Sequence, residues 1–255
     1  MTSVNRQQEI EARVERLMTM QPTAPPDARR VRRAFPVVGQ RRESTRHLAL
    51  EIEVDEEFAS SLRRPGQYVT LKVSGWPARF FVVASQTGRC TWEFLIDQRG
   101  ELGSVLENFK VDQTICVSLP EGGGFDPEEA AGEVAVLFCT GSGIATMRPL
   151  IEYWLEKSEI RPSQIGLYYG ESQADAFAYP ELLKAWSSKG IAVHRAVEQS
   201  GESMVARYVQ EAFDAAPLPL EKAHVYLSGA PVMVQLVAEK VLRQGVAPSR
   251  VQTNI

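Results

Sequence analysis

Cysteine is scarce. Cys90, Cys116 and Cys139 are the three in 255 residues, at spacings of 26 and 23. An odd number cannot all pair, and the spacings match no zinc or iron-sulfur pattern, so the thiols read as buried groups in a reducing compartment. Histidine is equally rare. His47, His194 and His224 fall in three different strand patterns, without Ser, Cys or carboxylate partners at a recognisable spacing. That excludes a triad or metal centre readable from the sequence and leaves the three as structural residues, with no metal expected. No apolar run reaches the ~18 to 20 residues that cross a bilayer, and the N-terminus has no apolar signal core. The expectation is a cytoplasmic protein without a membrane span. Basic residues number 28 against 32 acidic ones, a net charge of −4, which gives no electrostatic footprint for nucleic acid. Eighteen Gly and fifteen Pro are too few for a collagenous or low-complexity chain, and 44% apolar residues are too many for a disordered one.

What is present is organised in three parts. Residues 1–29 contain a helical pattern over 7–20, with Ile10, Val14, Leu17 and Met18 on one stripe. It reads as a loosely attached surface helix, or one packed on the body or on a partner, and the run Gln21-Pro-Thr-Ala-Pro-Pro26 ends it. Residues 30–126 read as short β-branched and aromatic segments at 33–38, 47–54, 68–73, 79–84, 91–97 and 114–119, interrupted by one helical stretch near 102–109. This spacing suggests a small antiparallel barrel. A polar connector follows at 125–133. From 133 to 255 near-continuous apolar runs at 134–140, 165–169, 191–197 and 224–228 alternate with helical patterns at 144–156, 180–188, 204–215 and 231–244. Strands buried on both faces and alternating with helices make a doubly wound parallel α/β domain.

The first parallel strand runs into a helix through Thr140-Gly141-Ser-Gly143-Ile144-Ala145-Thr-Met147. Glycines at such a turn let a diphosphate approach the backbone, where the unpaired amides and dipole of the following helix face the negative charge. A lone Gly-x-Gly is weak, but its place at the end of the first parallel strand is where ligands of open α/β sheets bind. Pro149 falls early enough in the helix to be tolerated.

The same residues carry a resemblance. The segment is similar to the Thr-Gly-Thr-Gly-Ile-Ala-Pro-Met of the ferredoxin-NADP reductase superfamily, in which an FAD-binding barrel precedes a nicotinamide-binding domain. In family order, Pro65-Gly66-Gln67-Tyr68 resembles its barrel strand, Gly103-Ser104 its flavin-diphosphate turn, Tyr168-Tyr-Gly170 its second nucleotide-domain strand, and Ser228-Gly229-Ala-Pro-Val-Met233 its Cys-Gly-Pro-Pro-x-Met. The resemblance covers about residues 30–255. The Glu121-Gly-Gly-Gly-Phe125 loop, Leu167-Tyr-Tyr-Gly170 and Val251-Gln-Thr-Asn-Ile255 look most like the plant fruit-protein type of FAD/NAD(P)-binding oxidoreductase.

By that resemblance the family's Arg-x-Tyr-Ser/Thr flavin motif corresponds to Arg79-Phe80-Phe81-Val82, with Ser85 following. It implies that Arg79 pairs with the FAD diphosphate and Phe81 stacks, whereas Val82 brings no side-chain donor to the flavin N5. Arg79 also reads as a solvated strand-end charge. Alternation along a strand assigns one of Phe80 and Phe81 to the barrel core. Ser228 replaces the family's Cys near the nicotinamide, able to hydrogen-bond the carboxamide or to cap the helix from Pro231. Met233 belongs to the motif or to packing. Glu198 and Glu202 stand where NADP-specific relatives hold a 2′-phosphate, and Arg207-Tyr208 partly restores that pattern, which favours NADH. The aliphatic Ile255 leaves the flavin without an aromatic lid.

The function implied is an FAD-dependent oxidoreductase that takes hydride from NAD(P)H and passes electrons to a separate acceptor, protein or small molecule. The alternatives are an electron-transfer subunit of a larger complex and a nucleotide-binding protein that has lost flavin.

Overall fold

A computed structural model describes residues 3–19, 32–199 and 206–254. The proline-rich stretch 21–26, Glu202 and Ile255 lie outside the described residues. After α1 (Ser3–Thr19) come β1 (Arg32–Arg42), β2 (His47–Glu53), α2 (Glu56–Ser61), β3 (Tyr68–Lys72), β4 (Arg79–Val82), β5 (Thr91–Asp97), α3 (Gly103–Glu107) and β6 (Thr114–Ser118). The six strands form one antiparallel sheet in the order β4-β3-β6-β1-β2-β5. Its two outer strands curl together until Ala84 N donates to Glu93 O at 2.9 Å, so the sheet is a nearly closed barrel. The inward residues Val37, Leu50, Ile52, Val69, Trp92, Phe94 and Ile115 are fully buried. The short α2, which the sequence reading missed, is capped by Asp55 accepting from Phe58 N at 3.0 Å. It delivers Phe58 edge-on to Phe35 at 4.7 Å.

The second sheet is parallel, built from β7 (Val134–Thr140), α4 (Ile144–Glu156), β8 (Gln164–Glu171), α5 (Pro180–Ser188), β9 (Ala192–Val197), α6 (Val209–Ala215), β10 (His224–Ser228), α7 (Pro231–Arg243) and β11 (Val251–Thr253). Its order is β11-β10-β7-β8-β9. The edge strand β11 was not expected from the sequence, because three residues are too short to show a pattern. Helices cover both faces, as the continuous burial of β7, β8 and β10 requires. The expected antiparallel barrel followed by a doubly wound α/β sheet is the observed architecture.

Two expectations are corrected. α1 is not loosely attached: Ile10, Val14 and Leu17 are buried at 6%, 6% and 2% exposure in the cluster that includes Val237 and Val241 of α7. Arg13 of the same helix donates to the Val251 carbonyl of β11. The helical pattern read over 204–215 gives a helix only from Val209, with 204–205 outside the described residues.

Candidate functional site

Between the two sheets lies a cleft of about 1250 Å³. That exceeds the roughly 300–1,000 Å³ of a site for one drug-sized ligand. The barrel wall contributes Arg79, Phe80, Phe81, Val82 and residues 99–103. The α/β wall contributes residues 140–143, Ala145, residues 228–230 and Met233.

The α/β wall is made of chain ends packed against one another. β7 ends at Thr140, a single 3-10 turn spans Gly141–Gly143, and α4 begins. Neither the turn nor the helix start has a side-chain cap, so its leading amides are left for another acceptor. Gly141 takes φ +57°, in the left-handed region. Gly143 is required for a reason the sequence did not show. A Cβ there would lie 2.7 Å from the Ser228 carbonyl carbon, so the glycine lets β10 and the turn interlock rather than simply leaving room for a ligand. Thr140 Oγ1 accepts from Ala230 N at 2.9 Å, and Thr146 Oγ1 lies 2.9 Å from Ser228 Oγ. The Ser228 hydroxyl is thereby fixed at the cleft wall, rather than capping α7, which has no side-chain cap. Met233 lines the cleft and packs in the core at once.

The barrel wall is made of half-exposed side chains. Both rings of the Phe80-Phe81 pair border the cleft. As alternation predicts, Phe81 is the one that packs on the barrel core, turning an edge to Phe94 at 6.4 Å, while Phe80 meets Tyr68 edge-on at 5.3 Å, although neither ring is fully buried. Arg79 Nη2 donates to Glu101 Oε2 at 2.7 Å, across the turn that leads to Gly103.

Four residues singled out from the sequence stand apart from the cleft lining. Ser85 Oγ accepts from Glu93 N at 2.7 Å and faces a second cavity of about 520 Å³. Ile144 is fully buried in the core. Ser104 is exposed on α3, and Tyr68 stands behind Phe80. The three histidines are scattered as expected: His47 is buried against Ala176 O at 3.1 Å, His194 stacks on Tyr168 at 4.8 Å, and His224 lies 3.1 Å from Glu133.

Sequence reasoning missed the polar joint between the walls. The hairpin turn between β1 and β2 docks on residues 175–179. Thr45 N donates to Asp175 O at 3.2 Å, and Glu43 Oε2 accepts from Tyr179 N at 3.1 Å. At the tip of the turn, Arg46 Nε donates to Asp97 Oδ2 at 2.9 Å and Nη1 to Glu171 Oε2 at 2.8 Å. Burial raises the Glu171 carboxyl above its usual range despite Arg46, and burial followed by the Arg46 charge pushes His47 down to about 4. Outside the cleft, Glu93 accepts from Arg148 at 2.6 Å, Arg41 at 2.7 Å and the Tyr179 hydroxyl at 2.7 Å. Burial works against its charge, but Arg148, the Tyr179 hydroxyl and Arg41 outweigh it and hold the carboxyl below its usual range. The one sequence signal was Glu171, a carboxylate closing an otherwise apolar strand.

Residues 137–239 match the oxidoreductase NAD-binding domain family. The chain is 26% identical to a flavohemoprotein of Schizosaccharomyces pombe, in an alignment that covers 78% of this chain and 51% of that protein. It is 23% identical to fruit protein pKIWI502 of Actinidia deliciosa, over 82% of this chain and 71% of that one. A ferredoxin NADP+ reductase from Neisseria gonorrhoeae, solved with FAD and NADP, superposes with a TM-score of 0.72 at 18% identity, covering 87% of this chain and 97% of that one. The chain has the two-domain fold of that reductase. It spans about half the length of the flavohemoprotein it matches. In the reductase fold the cleft falls where the C-terminal ends of the parallel strands face the barrel, the place at which open α/β sheets take ligands. Among the described residues no helix is long and apolar enough to cross a membrane.

Proposed function

We propose that the chain is an FAD-dependent NAD(P)H oxidoreductase that hands electrons to a separate acceptor, protein or small molecule. The observation that carries this reading is that one cleft is bordered on one wall by the uncapped turn Gly141–Gly143 and on the other by Arg79 with the Phe80 and Phe81 rings. The uncapped amides suit a coenzyme diphosphate, and the aromatic edge beside a guanidinium suits a flavin dinucleotide. A bound flavin supplies the chemistry, taking a hydride from the nicotinamide and releasing electrons singly or in pairs.

The chain's own residues bind and orient. Arg79, once released from Glu101, gives the flavin diphosphate a charge-assisted bond, and residues 100–103 face the same region. Phe80 and Phe81 offer apolar ring edges, and Val82 brings no side-chain donor, so flavin would be held mainly through its diphosphate and by packing. Ser228, fixed by Thr146, presents its oxygen at the cleft wall, where it would hydrogen-bond the carboxamide of a bound nicotinamide. Glu198 lines the cleft and repels a 2′-phosphate, and Arg207 is engaged with the Glu198 carbonyl at 3.2 Å, which supports NADH as the coenzyme. Of the thiols expected to be buried only Cys139 is, with Cys116 half-buried and Cys90 exposed; three unpaired thiols fit a reducing, cytoplasmic setting.

The Arg79–Glu101 pair and Val82 also favour a second reading, a nucleotide-binding protein without flavin. One experiment separates them. The purified protein is expected to show a flavin absorbance spectrum that NADH bleaches anaerobically faster than NADPH. A colourless protein that takes up no added FAD overturns the oxidoreductase reading.

A further inference from the structure

Transfer between two bound dinucleotides depends on how the walls that hold them are set against each other. Three cross-domain ion pairs join ionised side chains of the two halves among the described residues: Arg89–Glu156, Glu93–Arg148 and Arg46–Glu171. The first two border the second cavity, whereas Arg46 and Glu171 line the main cleft. Arg46 is only 17% exposed at its side chain and Glu171 is fully buried at its own. The guanidinium spans both walls at once, with two nitrogens on Asp97 of β5 and one on Glu171 at the end of β8. Its third neighbour is the diphosphate turn, since a Cβ on Gly141 would lie 3.1 Å from Arg46 Nη2. Glu171 is itself held from behind, its Oε1 accepting from the Tyr169 hydroxyl at 2.8 Å, and that hydroxyl accepts in turn from Ala178 N at 3.2 Å. A planar fork with every nitrogen engaged has one orientation, which a lysine's point charge does not reproduce.

We propose that Arg46 is a positioning residue for the transfer between coenzyme and flavin: its fork, closed on Asp97 and Glu171 against Gly141, sets the barrel wall's distance and angle to the diphosphate turn. The inference rests on the oxidoreductase reading. Reacting atoms must come within about 3 to 3.5 Å, and a misplacement of about 1 Å costs about a hundredfold in rate, so loosening this joint acts on the transfer step more than on either affinity.

Arg46→Lys and Arg46→Gln test this by two readouts. The first needs no catalysis: amide hydrogen exchange of the purified chain at residues 141–143 and 170–172 is expected to speed up at least about tenfold in both variants. Unchanged exchange overturns the clamp. The second is anaerobic stopped-flow flavin reduction by NADH. The limiting rate per flavin-loaded molecule is expected to fall about tenfold or more in both variants, while the half-saturating NADH concentration changes less than about threefold. A variant that loses thermal stability but reduces its remaining flavin at the native rate overturns the positioning role. So does an Arg46→Lys chain that behaves as wild type, because charge without the fork would then suffice. If neither NADH nor NADPH reduces the wild-type chain, the oxidoreductase reading falls together with the positioning role, and the exchange measurement alone decides whether Arg46 joins the walls.

Discussion

The two walls of the cleft are built on opposite principles. On the α/β side the surface is backbone: the turn Gly141–Gly143, the strand end at Ser228 and the start of α7 are locked by Thr140, Thr146 and a glycine contact that leaves no room for a methyl group. On the barrel side, apart from Gly103, where an added carbon would meet the Gln98 backbone, it is side chain: Arg79 and Glu101 are 43% and 68% exposed, and two phenylalanine rings are half-buried. A backbone wall is set when the domain folds and tolerates almost no change, whereas a side-chain wall is adjustable residue by residue. Coenzyme binding should therefore fail together with stability, and flavin binding should change without it.

The largest effect expected from this contrast is at Gly143. Gly143→Ala drives a methyl group into the Ser228 backbone and is expected to cost about 3 kcal/mol or more of unfolding free energy, while Gly123→Ala, where nothing lies within 4 Å of the added carbon, stays within about 0.5 kcal/mol. Urea unfolding of the two variants checks this, and equal stabilities would break the comparison.

The joint between the walls should show itself in acid. Folded His47, at about 4 against an ordinary 6.5, refuses a proton that the unfolded chain binds. Its contribution is full above about pH 6.5 and is lost as pH falls towards 4, by up to about 3 kcal/mol. Glu171, raised by burial, works the other way at the lower end of that window. Unfolding free energies of wild type and His47→Gln, measured from pH 7 to 4, should converge as pH falls. Parallel curves would remove His47 from the acid response.

Flavin affinity probes the adjustable wall. Arg79→Ala is expected to lose a charge-assisted bond of roughly 1.5 to 3 kcal/mol, a loss of flavin affinity of at least about tenfold at unchanged melting temperature. The smallest effect is the opposite one. Glu101→Gln releases Arg79 from an exposed pair worth at most about 1 kcal/mol and should tighten flavin no more than about fivefold. Fluorescence titration with FAD reads both variants, and a Glu101→Gln chain that binds flavin more weakly would reverse the assignment.

The same contrast explains what the sequence revealed. Gly141, Gly143, Ser228 and Gly229 were legible because backbone constraints leave few residue choices, and the strands 91–97, 134–140 and 224–228 were bounded correctly because they are short, apolar and framed by turn residues. The joint was not legible. Arg46 lies 51 positions from Asp97 and 125 from Glu171, and apart from the carboxylate that ends β8 nothing local marks a charge whose second partner comes from the other domain. Ser85 was misplaced for a related reason: motif order gives its position along the chain but not the side of the strand end to which the hydroxyl turns. α1 was readable as a helix, but its partner, α7, is more than 200 residues away.

That last pairing limits how the molecule can be dissected. α1 comes before the barrel in the chain yet covers α7 of the domain that comes after it, and Arg13 reaches Val251 beside it. A fragment cut out at the polar connector would leave bare the face that Ile10, Val14 and Leu17 cover, at a burial value of about 1.5 to 3 kcal/mol for each side chain. The barrel is thus an excursion out of the α/β domain rather than a separate module that precedes it. A graft that exchanges this domain with that of a relative keeps its solubility only if the seventeen residues of α1 travel with it.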